Sequence, residues 1–506
     1  MEQNPAIDLA LDTINLGKQA IIFVNTKRSA EKTAEDISKK IRGIDLQEIS
    51  DKSLHALTKP TKQCERLSIC LRKGIAFHHA GLVAKQRELI EENFKKGAIK
   101  IICATPTLAY GLNLPAFRSI VKDPKRYGHR GLDYLPVLEI HQMWGRAGRP
   151  GFDRFGEAII IAQSENEKEE LLERYINGKP ENIYSKLAVE PVLRTYILSL
   201  IASGFVNTKQ QLFDFFSKTF WAHQFGDMYE LNQMLQKMIG LLQEWEFIMG
   251  NKDEFQGADE LGDERYRPTI IGKRVAELYI DPLTAKKFID CIKKAASKET
   301  NVFSFVQMIS HTLELRPLLK VKAKEYDKVQ EVLTKNFTFL LEEEPNIYDQ
   351  DYDDFLNSIK LAMFFQEWLD EKDEEYLLET YDIRPGEIKV KLDIADWLLY
   401  TSEEMARLMQ FQPLLKDIAK LRVRLKSGVR EELIPLLNLR NIGRVRARKL
   451  FNNRIKDLGD VKSADITKLS QILGKNIAIG IKEQVGEKVE PVKENKRKGQ
   501  ISLSDY

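Results

Sequence analysis

Over the first 165 residues, short β-branched runs alternate with amphipathic stretches, and this pattern restricts the fold more than any other feature of the chain. The runs "QAIIFV", "GIAFHH", "IKIICAT", "FRSIV" and "GEAIIIA" have strand character. The segments near Ser29 to Ile41 and Ala84 to Phe94 repeat apolar residues at helical spacing. A strand that returns through a helix to another strand lies parallel to it, so the pattern predicts a parallel α/β sheet with ligands at the carboxyl ends of its strands. "NTKRSAE" follows the first run and "ATPTLAYGLNLPA" the third, which places both at such ends.

Beyond Gln163 helical periodicity dominates. "EPVLRTYILSLIASGF" and "TKQQLFDFFSKTFWAHQ" predict helices of a small winged-helix-like module that ends near Lys273, with a polar turn at "NKDEFQGADELGDE". From Asp281 to about Pro413 a helical bundle is expected, closed by the long helix "IKVKLDIADWLLYTSEEMARLMQ". "LIPLLNLRNIGRVRARKLFNN" reads as helix, glycine turn, helix, and the Lys-rich end "GEKVEPVKENKRKGQISLSDY" as a flexible tail. A length of 506 residues suits three or four such domains.

No run approaches the roughly 20 apolar residues of a membrane span, and the start "MEQNPAIDLALDTI" lacks the charged and apolar regions of a secretory signal. A cytoplasmic protein without a membrane partner is expected. The four cysteines, Cys64, Cys70, Cys103 and Cys291, form no CxxC pair, and the histidines have no matching spacing, so no metal site is expected. The net charge of +3 averages unlike regions: Lys420 to Asp460 holds twelve Lys/Arg against four Asp/Glu, whereas "LEEEPNIYDQDYDD" is almost wholly acidic. The basic stretch points to an anionic partner.

"QMWGRAGRPG" sets Arg146 and Arg149 three apart. On a helical turn that spacing would aim both guanidiniums one way, suited to phosphate oxygens, with Gln142 one turn earlier. An arginine that neutralises charge on a γ-phosphate accelerates hydrolysis by about a thousandfold or more. The plain alternative is an Arg/Gly turn in a surface loop. Asn25, Thr26 and Lys27, then Thr105 and Thr107, are donors suited to phosphates at strand ends, although Thr and Asn there can simply cap helices. No GxxxxGK[ST] string occurs, so the P-loop that cradles ATP and Mg2+ must be sought elsewhere.

"AFHHAGL", "ATPTLAYGLNLPA" and "QMWGRAGRPGFDRFGEAIII", in this order, resemble motifs of the second RecA-like lobe of Ski-like superfamily-two helicases. With "DPLTA" and "IGRVRARKLF" downstream, the chain is most similar to the C-terminal part of archaeal Hjm-type DNA helicases, lacking their first RecA-like lobe. The resemblance implies a multidomain α/β and mostly α chain: a second RecA-like lobe over 1–165, a winged helix over 166–273, a helical ratchet domain over 274–413, a helix-hairpin-helix module over 414–487 and a tail over 488–506.

It further implies that Thr105 and Thr107 contact the backbone of a tracking strand, and that Gly111 and Asn113 face a nucleotide cleft. A strand-separating hairpin is implied around "YGHRG", with Tyr127, His129 and Tyr134 as its candidates; an ordinary exposed hairpin is the alternative. Trp397, with Lys389 and Lys391, would lie on a ratchet helix along single-stranded DNA, whereas by composition alone Trp397 reads as core. Arg444, Arg446, Arg448 and Lys449 surround the glycine turn and would meet a DNA backbone, unless they merely form a solvated face. The last residues, "QISLSDY", resemble a sliding-clamp (PCNA) binding peptide through Gln500, Leu503 and Tyr506.

The function expected is therefore the second-lobe and DNA-binding part of an ATP-dependent 3′ to 5′ helicase. It would act on single-stranded and forked or junction DNA in replication-linked repair and recombination. ATP and Mg2+ would be held mainly by a separate polypeptide, from a split gene, that carries the first RecA-like lobe; a truncated chain is the alternative, and either way these residues alone should hydrolyse no ATP. Two rivals are a non-catalytic, clamp-tethered DNA-binding scaffold and an RNA-remodelling helicase subunit.

Overall fold

The computed structural model describes residues 4–487, except 58, 111–112, 129–130, 150, 152, 188 and 252–264. Gly111, His129, Gln500, Leu503 and Tyr506, all singled out above, lie outside the described residues, as does most of the polar turn after Asn251. Two compact units are formed, one by the chain up to Leu283 together with Asp373–Ile394, the other by Thr284–Lys372 together with the chain from Ala395.

The first unit is built on a five-stranded sheet of β1 (Ala20–Phe23), β2 (Ile75–His78), β3 (Ile101–Ala104), β4 (Arg118–Val121) and β7 (Glu157–Ile160), in the order β2-β3-β1-β4-β7. Every pairing in it is parallel, with Ala20 opposite both Ile101 and Arg118. Each residue of β1 to β4 is buried, which is why β1 and β3 read as unbroken apolar runs, not as alternating ones, while Arg118 and Ser119 of β4 are buried with Glu157 and the Met143 carbonyl as partners. Burial of each Ile or Phe contributes about 1.5 to 3 kcal/mol.

Six helices accompany the sheet: α1 (Pro5–Asn15), α2 (Lys27–Ser38), α3 (Gln47–Leu54), α4 (Lys62–Arg72), α5 (Ala84–Lys95) and α6 (Val137–Trp144). Helix α2 starts where Thr26 accepts a hydrogen bond from the Ser29 amide (3.0 Å), and buries Ala30, Ala34 and Ile37 along one stripe. Between β4 and α6 stands an antiparallel hairpin of β5 (Lys125–Gly128) and β6 (Gly131–Tyr134).

The unit continues through α7 (Glu165–Leu171), α8 (Glu190–Ala202), α9 (Lys209–Ser217), α10 (Phe220–Phe225) and α11 (Met228–Glu244). An antiparallel ribbon of β8 (Ile248–Asn251) and β9 (Arg265–Pro268) leads to α12 (Ile270–Glu277). Arg194 of α8 holds Asp281 through two bonds of 2.6 and 2.7 Å; both groups are buried, so neither charge is left uncompensated.

Helix α13 (Pro282–Ala295) carries the chain into the second unit, followed by α14 (Val302–Ser310), α15 (Tyr326–Asn336) and α16 (Tyr352–Leu369). Helix α17 (Glu374–Tyr381) and the first ten residues of α18 (Pro385–Leu408) belong to the first unit again. The rest of α18, α19 (Gln412–Ser427), α20 (Ile434–Leu437), α21 (Arg444–Asn452), α22 (Leu458–Ser463), α23 (Ile466–Leu473) and α24 (Lys475–Gln484) lie in the second. The last five share a core that includes Leu433, Leu436, Ala447, Leu450, Leu469 and Ile481. Among the described residues no helix is long and apolar enough to cross a membrane.

Candidate nucleotide-side and strand-side residues

A cleft of about 730 Å³ opens at the carboxyl ends of β1 and β3, lined among others by Asn25, Thr26, Lys27, Thr105, Thr107 and Arg384. The sheet thus brings together the five polar residues that the sequence places at strand ends. Thr105 and Thr107 share a hydrogen bond of 3.0 Å between their hydroxyls, at the start of a single 3-10 turn, Pro106–Ala109. The Asn25 side-chain amide donates to the Lys125 carbonyl at the foot of the hairpin, while its Oδ1 is buried without a partner. The cations of this cleft are not bare: Lys27 pairs with Glu387, Arg28 with Asp382 at 2.8 Å, and Arg126 with Glu139 at 3.0 Å. What the cleft presents without prior neutralisation are hydroxyls and the amides at the start of α2, groups that suit phosphate irrespective of base.

The two arginines of "GRAGR" do not share a helical turn. Helix α6, which carries the half-buried Gln142, ends at Trp144; Ala147 forms a parallel bridge to Ala116, and Gly148 adopts φ +91°, so the chain turns between the arginines. Arg146 donates through Nη2 to the carbonyl of Ala109, at the far end of the turn that begins beside Thr105, and its buried Nε has no partner. Arg149 instead grips both carboxylate oxygens of Asp153 (2.6 and 3.1 Å) and donates to Gln19 Oε1 (2.8 Å) just before β1. Asp153 also receives Lys18 at 2.6 Å. These contacts, led by the Arg149 hydrogen bond, hold the Asp153 carboxyl down at about 2 against the opposing effect of burial.

Asn113 is exposed. In the hairpin Tyr127 is 85% exposed, whereas Tyr134 is fixed at its base. Its hydroxyl donates to Glu170 and its ring lies under the cations of Lys125 and Arg174, at 4.4 and 4.8 Å from the centroid. Tyr134 therefore braces the hairpin, and the aromatic side chain presented outward among the described residues of the loop is Tyr127.

On α18, Lys389 is exposed and paired with Asp393 at 2.6 Å, Lys391 is held below its ordinary range by burial, and Trp397 is half-buried. The four cations around the last glycine turn divide in two. Arg444 lies over the Trp368 ring at 4.5 Å and donates to the Lys372 carbonyl, and Arg448 holds Glu371 and Glu432. Arg446 and Lys449 are exposed, though Arg446 also donates to the Asn441 carbonyl at 2.8 Å. The basic stretch from Lys420 is thus partly an internal ion-pair system, since Lys420, Arg422 and Arg430 also have carboxylate partners.

Cys64, Cys70, Cys103 and Cys291 are buried, and burial pushes the Cys70 thiol up to about 12. Among the described residues no three His, Cys, Asp or Glu side chains are grouped to hold a metal ion.

Comparison with known proteins places these features. Residues 46–151 match the helicase conserved C-terminal domain, 156–249 a helix-turn-helix domain and 303–428 the archaeal helicase domain 4. ATP-dependent DNA helicase Hel308 of Pyrococcus horikoshii is 39% identical over 504 residues, 98% of this chain and 67% of the relative. The Hel308 of Pyrococcus abyssi is 38% identical over 504 residues (98% and 67%), and that of Methanococcus vannielii 37% over 498 (91% and 65%). The chain belongs to the Hel308 family of DNA helicases. It spans about two thirds of the length of these relatives.

In this Hel308-family chain, sequence reading missed Glu31. It is 3% exposed, on α2 one turn beyond Lys27, and accepts from Arg384 Nε (3.0 Å), Gln63 (3.0 Å) and Arg66 (2.8 Å), with His79 Nε2 at 3.2 Å. These bonds hold its carboxyl far below the usual range although burial opposes them. His79 is itself fully buried, and burial pushes it down toward the neutral form. No local signal marks the group, because Glu31 and Arg384 are 353 positions apart.

Proposed function

We infer that this chain is the motor-completing and strand-gripping part of an ATP-dependent 3′ to 5′ DNA helicase that acts on forked or junction DNA in replication-linked repair and recombination. The observation that carries the reading is the Pro106–Ala109 turn. One end begins beside Thr105 and Thr107 in the polar cleft, and the other gives its carbonyl to Arg146. A single short element thereby touches both the candidate strand site and the candidate nucleotide side.

ATP with Mg2+ would supply the phosphoryl bond whose hydrolysis drives the motor. No GxxxxGK[ST] string lies within these 506 residues, so a lobe outside them would hold that nucleotide. The buried, unpartnered Arg146 Nε supports a role for Arg146 toward an anion, and Arg149 and Gln142 would assist from the same motif. Gly111 and Asn113 would face the nucleotide. Asn25, Thr26, Lys27, Thr105 and Thr107 would hold the tracking strand. Lys389, Lys391 and Trp397 on α18, and Arg444, Arg446, Arg448 and Lys449 near α21, would also contact DNA, with Arg446 and Lys449 the more exposed of the last four. Tyr127 and His129 would part the duplex, with Tyr134 as their brace. Gln500, Leu503 and Tyr506 would tether a sliding clamp.

The test is DNA-stimulated ATPase and fork unwinding by this chain alone, mixed with a P-loop lobe, and mixed with that lobe after Arg149→Ala. Activity only in the mixture, lost by about a thousandfold with the alanine, is expected. An inert mixture in which this chain still binds DNA tightly would replace the motor with a clamp-tethered scaffold. Unwinding of RNA but not DNA would favour the RNA-remodelling reading.

A further inference from the structure

Around Arg384 the chain is fitted unusually closely to the carboxyl edge of the sheet. The Arg384 carbonyl accepts from the Ile388 amide (2.9 Å), and its own amide donates to Glu387 (3.2 Å), so Glu387 supplies the carboxylate half of a capping box at the start of α18. Its guanidinium then runs inward to the buried Glu31 of α2. The 79–82 loop after β2 accommodates this approach only through glycine. A Cβ on Gly81 would lie 2.3 Å from Arg384 Cδ, and one on Gly386 would lie 2.4 Å from the carbonyl oxygens of both Ala80 and Leu82. Gly386 also donates its amide to the Gly81 carbonyl at 3.0 Å.

The surroundings repeat the attachment. Glu387 pairs with Lys27, Asp382 with Arg28, Lys59 ahead of α4 with Asp373 at the cap of α17, and the Lys62 amide at the start of α4 donates to Glu375 of α17 at 2.9 Å. On its other side the 79–82 loop adjoins the strand-side cleft: the His78 carbonyl accepts the Thr105 amide at 3.3 Å, and Ala80 lines the cleft. Exposed pairs such as Arg28 with Asp382 are worth little, about 0 to 1 kcal/mol. The buried contact of Arg384 with Glu31 is the one that fixes geometry.

We propose that Arg384 is a positioning residue that keys the first turn of α18 to Glu31 and to the 79–82 loop, so that a strand held along α18 is sensed at the carboxyl edge of the sheet. The inference rests on the strand-gripping reading of α18. Arg384 borders the cleft, but it is 8% exposed and gives its Nε to Glu31, so it acts through the loop and not as a phosphate ligand.

The measurement is amide exchange of the whole chain, with and without an oligo(dT) strand. In wild type, the strand is expected to slow exchange over residues 27–38 and 79–82 by about tenfold. Arg384→Met leaves Glu31 buried without one of its partners and so raises the DNA-free exchange rate; measured against that rate, with the strand at saturating concentration, it should abolish the slowing. Arg384→Lys, which keeps the charge without the planar fork, should recover part of it. Should Arg384→Met fail to fold, Glu31→Gln with Arg384 intact is expected to lose the same protection, and Arg28→Ala to keep it. Unaltered protection in both the Arg384 and Glu31 variants, with the strand bound, overturns this inference alone. Absence of oligo(dT) binding by the wild-type chain overturns the strand-gripping reading and this inference with it.

Discussion

Asp153 offers a quantitative test of how the "GRAGR" region is held. Its side chain is 1% exposed and receives Arg149 on both oxygens and Lys18 on one, while those cations remain 20% and 34% exposed. The carboxyl lies at about 2 against an ordinary 3.8, a difference worth about 2 kcal/mol. Because the folded value is depressed, the contribution is complete above the ordinary value and is lost as pH falls from 3.8 toward about 2.

Asp153→Asn removes the charge without changing the shape. Breaking a buried pair from one side costs about 3 to 5 kcal/mol when the remaining charge is stranded. Here both cations can turn toward water, so about 2 kcal/mol is the expected loss at neutral pH. Native-state amide exchange in β1 and β4 reads it locally, as a rate increase of roughly thirtyfold near pH 7. In denaturant experiments the deficit should shrink as pH falls below about 4. A change under about threefold at neutral pH, or a deficit that stays constant down to about pH 2.5, would refute the reasoning.

Three further outcomes are expected. Gly386→Ala places a methyl against two carbonyl oxygens at 2.4 Å, and should destabilise the first unit by about 1 to 3 kcal/mol, seen as faster exchange in α2 and at 79–82. Tyr127→Ala, at an 85% exposed position, should leave stability within about 0.5 kcal/mol while fork unwinding by the assembled motor falls and its single-strand-stimulated ATPase persists; parallel loss of both activities would argue against a strand-parting hairpin. Lys449→Ala should weaken oligo(dT) binding and reduce its salt slope by about 0.7 without loss of stability. Arg448→Ala should instead destabilise the second unit in a urea titration, because it leaves Glu371 and Glu432 facing each other without their shared cation.

The sheet was legible in the sequence chiefly through β1 and β3, which are buried throughout and apolar throughout; β4 begins with Arg118 and Ser119, whose burial depends on Glu157 and the Met143 carbonyl. The polar residues at the strand ends were legible for the same reason: a strand's end fixes which way the next residues point. Where a side chain depends on distant chain, the sequence was silent. Arg146 and Arg149 diverge because Ala147 is tied to Ala116 and Gly148 turns the backbone, neither of which a spacing of three reveals. Arg444 and Arg448 turn inward because the end of α16 and the residues after it supply Trp368 and Glu371. Tyr134 is drawn under Lys125 and Arg174 by neighbours on both sides of α6.

The pairing of charged side chains bears on how such a motor could move. Two of the cations proposed for phosphate, both on the first unit, hold partly exposed carboxylates instead: Lys27 with Glu387 and Lys389 with Asp393. A phosphate arriving at either of these would exchange one anion for another, so its net gain is small and the bond is easily surrendered. That suits a protein that must release each contact in order to advance. The contacts that do not exchange are buried, Glu31 with Arg384 and Arg194 with Asp281, and both join helices of the first unit to one another or to adjoining chain. If the proposed strand sites are right, replaceable pairs on a framework held by irreplaceable ones would allow a strand to be gripped and passed on without loosening the fold.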